Sequence, residues 1–222
     1  MNEARDVSAM RPDIIEWRAD FFGPLADADV VRDLSRDLKA VIGKTPLLFT
    51  RRTVREGGQP IAATESQVLA AYEAVIASGT VDAIDCELSQ PENDIARLRT
   101  LSRQHGVAKI LSFHDFNGTP ENATLLALVE RAIALGGDAV KIAVMPQSMA
   151  DVLRLLDVTR QIHERGAIPV ISMAMGEMGR MTRVAGGLFG SAMTFAAGVN
   201  ASAPGQMDIE TLRAAMQSMY VA

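Results

Sequence analysis

DAVKIAVMP, residues 138–146, decides how this chain is built. It is a short apolar, β-branched run, entered from Gly136 and Gly137 and stopped by Pro146, and it reads as a buried strand. Side chains alternate along a strand, so Lys141, Ala143 and Met145 share one face while Val140, Ile142 and Val144 take the other. The Val/Ile face calls for a cover of helices. The lysine face must then point into a narrow space, beside one small and one flexible neighbour that leave the amine room. A buried ammonium is costly, and desolvation favours the neutral form. A neutral lysine in a pocket attacks carbonyls and forms imines. Taken alone, an apolar strand with one lysine more often lets that lysine snorkel to water, so the rest of the chain has to decide.

Outward from this strand, strand-like and helix-like segments alternate. Strands are expected at 13–21, 47–52, 83–88, 109–115, through Lys141, at 168–173 and, more weakly, at 190–196. Between them come amphipathic helices at 25–42, from the TESQ capping pattern at 64–67 to Gly79, at 94–105, from Thr119 to Gly136, and at about 148–165; a last one lies within 205–220. The β-then-α repetition predicts a parallel sheet. The strands are short, and polar residues gather at their C-terminal ends: Glu16 and Arg18, Arg52, Asp85 and Glu87, His114, Lys141. A (β/α)8 barrel, the TIM barrel, places its working groups there, and no G-x-G-x-x-G follows the first strand to favour a dinucleotide fold. Only seven strands are identifiable where eight close such a barrel, and residues 1–12 read as the tail of a first helix. The expectation is one barrel domain over 1–222, N-terminally shortened and lacking its first strand.

Composition narrows the function. The 222 residues are 48% hydrophobic and 22% charged, enough for one sizeable core. Net charge is −5 with no basic run, which argues against nucleic acid. No apolar run reaches the length of a membrane span and the N-terminus has no signal-peptide core, so the expected compartment is the cytoplasm. A single cysteine, Cys86, excludes an internal disulfide, and no Cys/His spacing suggests a metal.

Alternation also sorts the polar groups. Glu16 and Arg18 point the same way, as do Asp85 and Glu87 with Cys86 opposite; an ion pair inside the fold is the plain reading of Glu16 and Arg18. His114 ends the strand before that of Lys141, so imidazole and amine come from consecutive strands, and a histidine beside an imine-forming lysine suits acid–base work. His105 and His163 read as exposed helix-end residues with no role. Arg52 and Arg183 offer forks that fit a carboxylate. The SAPGQ turn at 202–206 is polar, and Met173 and Met175 alone would be core filler. Lysine, histidine, arginines, acids and a Ser/Gln turn together describe a pocket for a small, hydroxylated, anionic ketone.

These residues resemble the type I 3-dehydroquinate dehydratase family. The matching segments run in order from residue 13 to 206: EWRAD at 16–20, FTRR at 49–52 with EGG at 56–58, DCEL at 85–88, SFHDF at 112–116, KIAVMP at 141–146, the loop at 173–183 and SAPGQ at 202–206. The resemblance implies a (β/α)8 barrel, a homodimer, no cofactor and no metal. It implies dehydration of 3-dehydroquinate to 3-dehydroshikimate in the shikimate pathway of aromatic amino acid biosynthesis, a lyase reaction through a Schiff base on Lys141. His114 would be the general base and acid, Glu56 the acid associated with it, and Arg183 the carboxylate clamp. Glu16, Arg18, Arg52, Ser202 and Gln206 would hold ring hydroxyls or order the closing loop, and Phe116, Met173, Met175 and Phe195 would form apolar walls. Two other readings stay open: a Schiff-base barrel of the class I aldolase type, and a degenerate barrel kept as a binding protein.

Overall fold

A computed structural model describes residues 1–220. The chain divides at 110/111 into two compact units. The first holds helix α1 (Asn2–Ala9), strand β1 (Ile15–Arg18), helix α2 (Ala28–Ile42), β2 (Leu47–Thr50), α3 (Glu65–Ala77), β3 (Ala83–Glu87) and α4 (Glu92–His105). The division falls within β4 (Ala108–Asp115). The second unit continues with α5 (Asn122–Ala134), β5 (Ala139–Val144), α6 (Met149–Arg165), β6 (Val170–Ala174), α7 (Arg180–Ala185) and α8 (Ile209–Met219). This is the alternating α/β order that the sequence predicts.

In the first unit β1, β2 and β3 pair in parallel, in chain order. The register sets Arg18 opposite Thr50 and Thr50 opposite Asp85, so one row of polar residues crosses the C-terminal ends of all three strands. Leu47, Leu48, Phe49 and Ile84 are buried, with Val68, Ala71, Val75 and Ile76 of α3 and Ile95 and Leu98 of α4 closed over them. Burial on both faces is what a parallel strand covered by helices requires. The helices start where their caps dictate: the Asp27 carboxylate accepts from the N–H groups of Asp29 and Val30, and Thr64 and Gln67 cap α3 reciprocally.

In the second unit β5 and β6 pair in parallel, with Lys141 opposite Ile171 and Ala143 opposite Met173. Val140, Ile142 and Val144 are fully covered, as the alternation predicts, and Leu125, Val129, Val152, Leu155 and Ile162 of α5 and α6 are buried with them.

Three local expectations need correction. Residues 190–196 do not form the seventh strand, and six strands occur among the described residues. Only a single parallel bridge, Val170 to Ser191, forms there. Ala192 donates to the Val170 carbonyl at 2.7 Å, but the next rung is lost because the Ser172 N–H donates to the Ser191 hydroxyl at 3.0 Å instead of to a carbonyl. The stretch after Met173 is not all loop: residues 180–185 form α7, and Thr182 Oγ1 fastens it by accepting from the Ala174 N–H at 2.9 Å. The first strand ends early, at Arg18, where the chain turns through a single 3-10 turn over Ala19–Phe21.

Gly190 makes the turn before Ser191 possible. Its φ is +94°, and a Cβ there would stand 2.2 Å from His163 Cγ. Gly190→Ala is therefore expected to lower unfolding free energy by about 1–3 kcal/mol in urea titration. A neutral effect would mean that this turn carries no constraint.

Candidate active site

The first unit gathers a buried guanidinium among several acids. Arg52 follows β2, is 3% exposed, and donates through Nη2 to Asp85 at 2.8 Å and through Nη1 to Glu87 at 3.3 Å. Glu56 stands 3.9 Å from the same Nη1. Burial alone would lower the Arg52 guanidinium, but Asp85 and Glu87 outweigh it and hold the group firmly protonated. Glu87 is further held by the backbone N–H and the hydroxyl of Thr53, each at 2.7 Å. Thr53 caps the short turn Val54–Glu56 that brings the Glu56 carboxyl in. Gly58 closes this loop onto Arg52: a Cβ there would fall 2.0 Å from the Arg52 carbonyl oxygen, which explains a glycine in EGG.

Glu56 is 4% exposed, and burial, reinforced by the negative charge of Glu87, pushes its carboxyl up to about 7. A carboxyl of that kind exchanges a proton near neutrality, which is what an acid–base partner needs. Cys86 on the opposite face is buried and raised to about 12, again mainly by burial, so it is an inert packed thiol.

Arg18 does not pair with Glu16. It makes a two-pronged bond to Asp20, 2.8 Å for each prong, while Glu16 accepts from the Thr50 hydroxyl at 2.9 Å. Burial works to raise the Asp20 carboxyl, but Arg18 and the backbone N–H groups of Gln59 and Arg52 outweigh it and hold it below the usual range. Asp20 is thus a site-building residue that sequence reasoning passed over, although its spacing of two from Arg18 was a visible signal.

The second unit gathers the amine and a second guanidinium. Lys141 is 4% exposed, and its Nζ lies 4.1 Å from the centre of the Phe195 ring. Arg183, carried inward by α7, donates to the Phe195 carbonyl at 3.1 Å and to the Pro204 carbonyl at 3.3 Å, and touches the Met173 sulfur at 3.5 Å. Lys141, Phe195, Arg183 and Met173 therefore form one continuous cluster. The 202–206 turn joins it through Pro204, and the Gln206 side-chain oxygen ties that turn by accepting from the N–H groups of Ser202 and Ala203 at 2.7 and 3.2 Å. Met175 is buried beside it, its N–H bonded to the Val144 carbonyl.

Among the described residues no carboxylate pairs with Arg183, and its Nε is buried without a partner. Burial alone pulls its guanidinium down to about 10, so it is still charged at neutral pH. A buried cation held only by carbonyl oxygens attracts an anion from outside. His114 and Phe116 lie half-buried at the end of β4 and just beyond it. His105 and His163 are exposed. Among the described residues no group of His, Cys, Asp and Glu is placed to hold a metal ion, and no helix is long and apolar enough to cross a membrane.

In this parallel α/β chain, a lysine buried in one strand and an unpaired buried arginine tied to the same aromatic residue make the second unit a candidate enzyme site for a small anionic compound. The comparisons give the family: the model described as type I 3-dehydroquinase matches residues 1–222, and the chain belongs to that family. It is 46% identical over 216 residues to the 3-dehydroquinate dehydratase of Shouchella clausii (strain KSM-K16), covering 97% of this chain and 84% of that relative. The crystal structure of 3-dehydroquinate dehydratase from Geobacillus kaustophilus HTA426 superposes with a TM-score of 0.95 at 44% identity, over 100% of this chain and 86% of that one. The type I enzyme from Clostridium difficile, solved with covalent modified comenic acid, gives a TM-score of 0.93 at 36% identity, over 98% and 86%.

A carboxyl that binds its proton more tightly in the folded chain than its ordinary 4.5 contributes most to stability at low pH. Its contribution falls as pH rises from about 4.5 through about 7. Glu56→Gln, neutral throughout, is expected to match the parent below about pH 4 and exceed its unfolding free energy by about 3 kcal/mol at pH 8 in urea titrations. Parallel pH dependences for the two proteins would show that Glu56 does not titrate in this window.

Proposed function

We propose that this chain is a hydro-lyase that removes water from 3-dehydroquinate to give 3-dehydroshikimate through an imine on Lys141. The observation that carries the reading is the cluster in which the buried Lys141 amine and the unpaired Arg183 guanidinium meet the same residue, Phe195. That arrangement suits a ketone that also bears a carboxylate. Family membership supports the reaction itself, and the covalently modified compound held by the Clostridium difficile relative supports a nucleophile in that family.

In this reading the Lys141 Nζ adds to the C3 ketone and water leaves, forming the imine. Once protonated, the imine withdraws electrons and makes the adjacent C2 proton acidic. His114 removes that proton and then returns it to the C1 hydroxyl as it leaves, and hydrolysis of the imine frees Lys141. Glu56 serves His114 as the associated acid. Arg183 takes the substrate carboxylate. Glu16, Arg18, Arg52, Ser202 and Gln206 hold the ring hydroxyls or order the closing turn, and Phe116, Met173, Met175 and Phe195 form the apolar walls. The imine supplies the electron sink, so the reaction calls for no cofactor. The same reading takes residues 1–222 as one (β/α)8 barrel domain, acting in the cytoplasm as a homodimer in the shikimate pathway.

Incubation with 3-dehydroquinate and borohydride is expected to fix one substrate mass on Lys141, located by peptide mapping, and Lys141→Ala is expected to carry none. Arg183→Lys keeps the charge but loses the fork, and its KM is expected to rise by about tenfold or more with a smaller change in kcat. Folded protein that forms no adduct, or product analysis showing carbon–carbon cleavage in place of a conjugated enone, overturns the reading.

A further inference from the structure

The mechanism above leaves unused the hydroxyl of Ser89, which reaches into the acid cluster. Ser89 lies two residues beyond Glu87, just past the end of β3, and is exposed at the rim. Its Oγ is 2.9 Å from Glu56 Oε1 and 3.4 Å from Glu87 Oε2. A hydroxyl carries one proton and can donate to only one of the two. Glu87 is already supplied: Oε1 accepts from the Thr53 N–H at 2.7 Å and Arg52 Nη1 at 3.3 Å, and Oε2 from the Thr53 hydroxyl at 2.7 Å. The shorter Ser89 contact is the one to Glu56, so its proton goes there.

We propose that Ser89 is a positioning residue for catalysis: its hydroxyl fixes the Glu56 carboxyl and sets how readily that carboxyl gives up its proton. This rests on the reading in which Glu56 assists the acid–base histidine. The charge balance explains why one hydroxyl matters. In the first unit Glu56 faces Glu87 and Asp85 from β3 and Arg52 from the segment after β2, while Arg55 of its own turn is exposed. The Arg52 guanidinium feels the charges of Asp85, Glu87 and Glu16 as well, and it bonds Asp85 and Glu87. Glu56 lies beyond hydrogen-bond reach of it at 3.9 Å. A hydroxyl donating to the ionised form of Glu56 opposes the burial and the negative neighbours that favour its proton. Without it, Glu56 keeps the proton to higher pH.

Because Ser89 is at the rim, Ser89→Ala removes the donor without opening a cavity. The test compares Ser89→Ala, Ser89→Thr and the parent by ¹³C NMR of the substrate-free enzyme, with the Glu56 carboxyl signal assigned by Glu56→Gln, and by the pH dependence of kcat/KM. In Ser89→Ala the Glu56 titration is expected to move up by about half a unit to one unit. The limb of the pH profile that Glu56→Gln abolishes should move with it, and Ser89→Thr, which keeps the hydroxyl, should restore both. A Glu56 titration and a limb unmoved in Ser89→Ala, or a threonine variant displaced as far as the alanine one, overturns the proposal. Failure of the borohydride adduct would instead count against the imine reading, while the substrate-free titration still judges Ser89 by itself.

Discussion

A guanidinium shut away from water has to be neutralised where it stands, and the first unit is built around that requirement at Arg52. Asp85 and Glu87 must share a face of β3 to reach it, which alternation across Cys86 provides. Glu87 must in turn be held, and the Thr53 amide and hydroxyl do so. Holding Thr53 fixes the turn that follows, and that turn delivers Glu56 into a place already rich in negative charge. Gly58 completes the closure by letting the loop touch the Arg52 backbone. The raised proton affinity of Glu56 is therefore the end of a chain of packing demands that begins with one cation. Removing Arg52 would take the guanidinium away from two buried carboxylates, so the ion pairs are better understood as a condition for placing Glu56 than as a source of net stability.

The second unit treats its buried arginine in the opposite way. Arg183 receives carbonyl oxygens and a sulfur contact but no carboxylate among the described residues. Carbonyl dipoles orient a guanidinium without cancelling its charge. The two arginines thus differ in chemistry: Arg52 is answered by internal carboxylates, while Arg183 keeps a charge that no internal carboxylate answers among the described residues, which suits the anion-binding role proposed for it.

How much of this the sequence discloses follows from the range of the interactions involved. The period-two pattern around Lys141 is local, and it correctly assigns the Val/Ile face to the helices and the amine to the interior. The joining of Phe195 to Arg183 was less visible, because a side chain reaching a backbone carbonyl leaves no pattern in residue type. Glu16 and Arg18 illustrate the same limit: opposite charges two apart suggested a pair, but Asp20 sits beyond the strand end, where the 3-10 turn swings it back to Arg18. The apolar run at 190–196 looked like a strand, yet a serine hydroxyl took the place of a ladder carbonyl and stopped the pairing after one bridge. Helix α7 was hidden by Gly176 and Gly179, which break any helical period before it starts.

Phe195 shows why a weak-looking segment can still be tightly specified. Its ring lies over the Lys141 amine while its carbonyl accepts from Arg183, so both ends of the residue are committed although the backbone around it has no regular partner. The Phe195 carbonyl is thus committed to Arg183 and its ring to the Lys141 amine, and one residue ties the two cations of the second unit's cluster together.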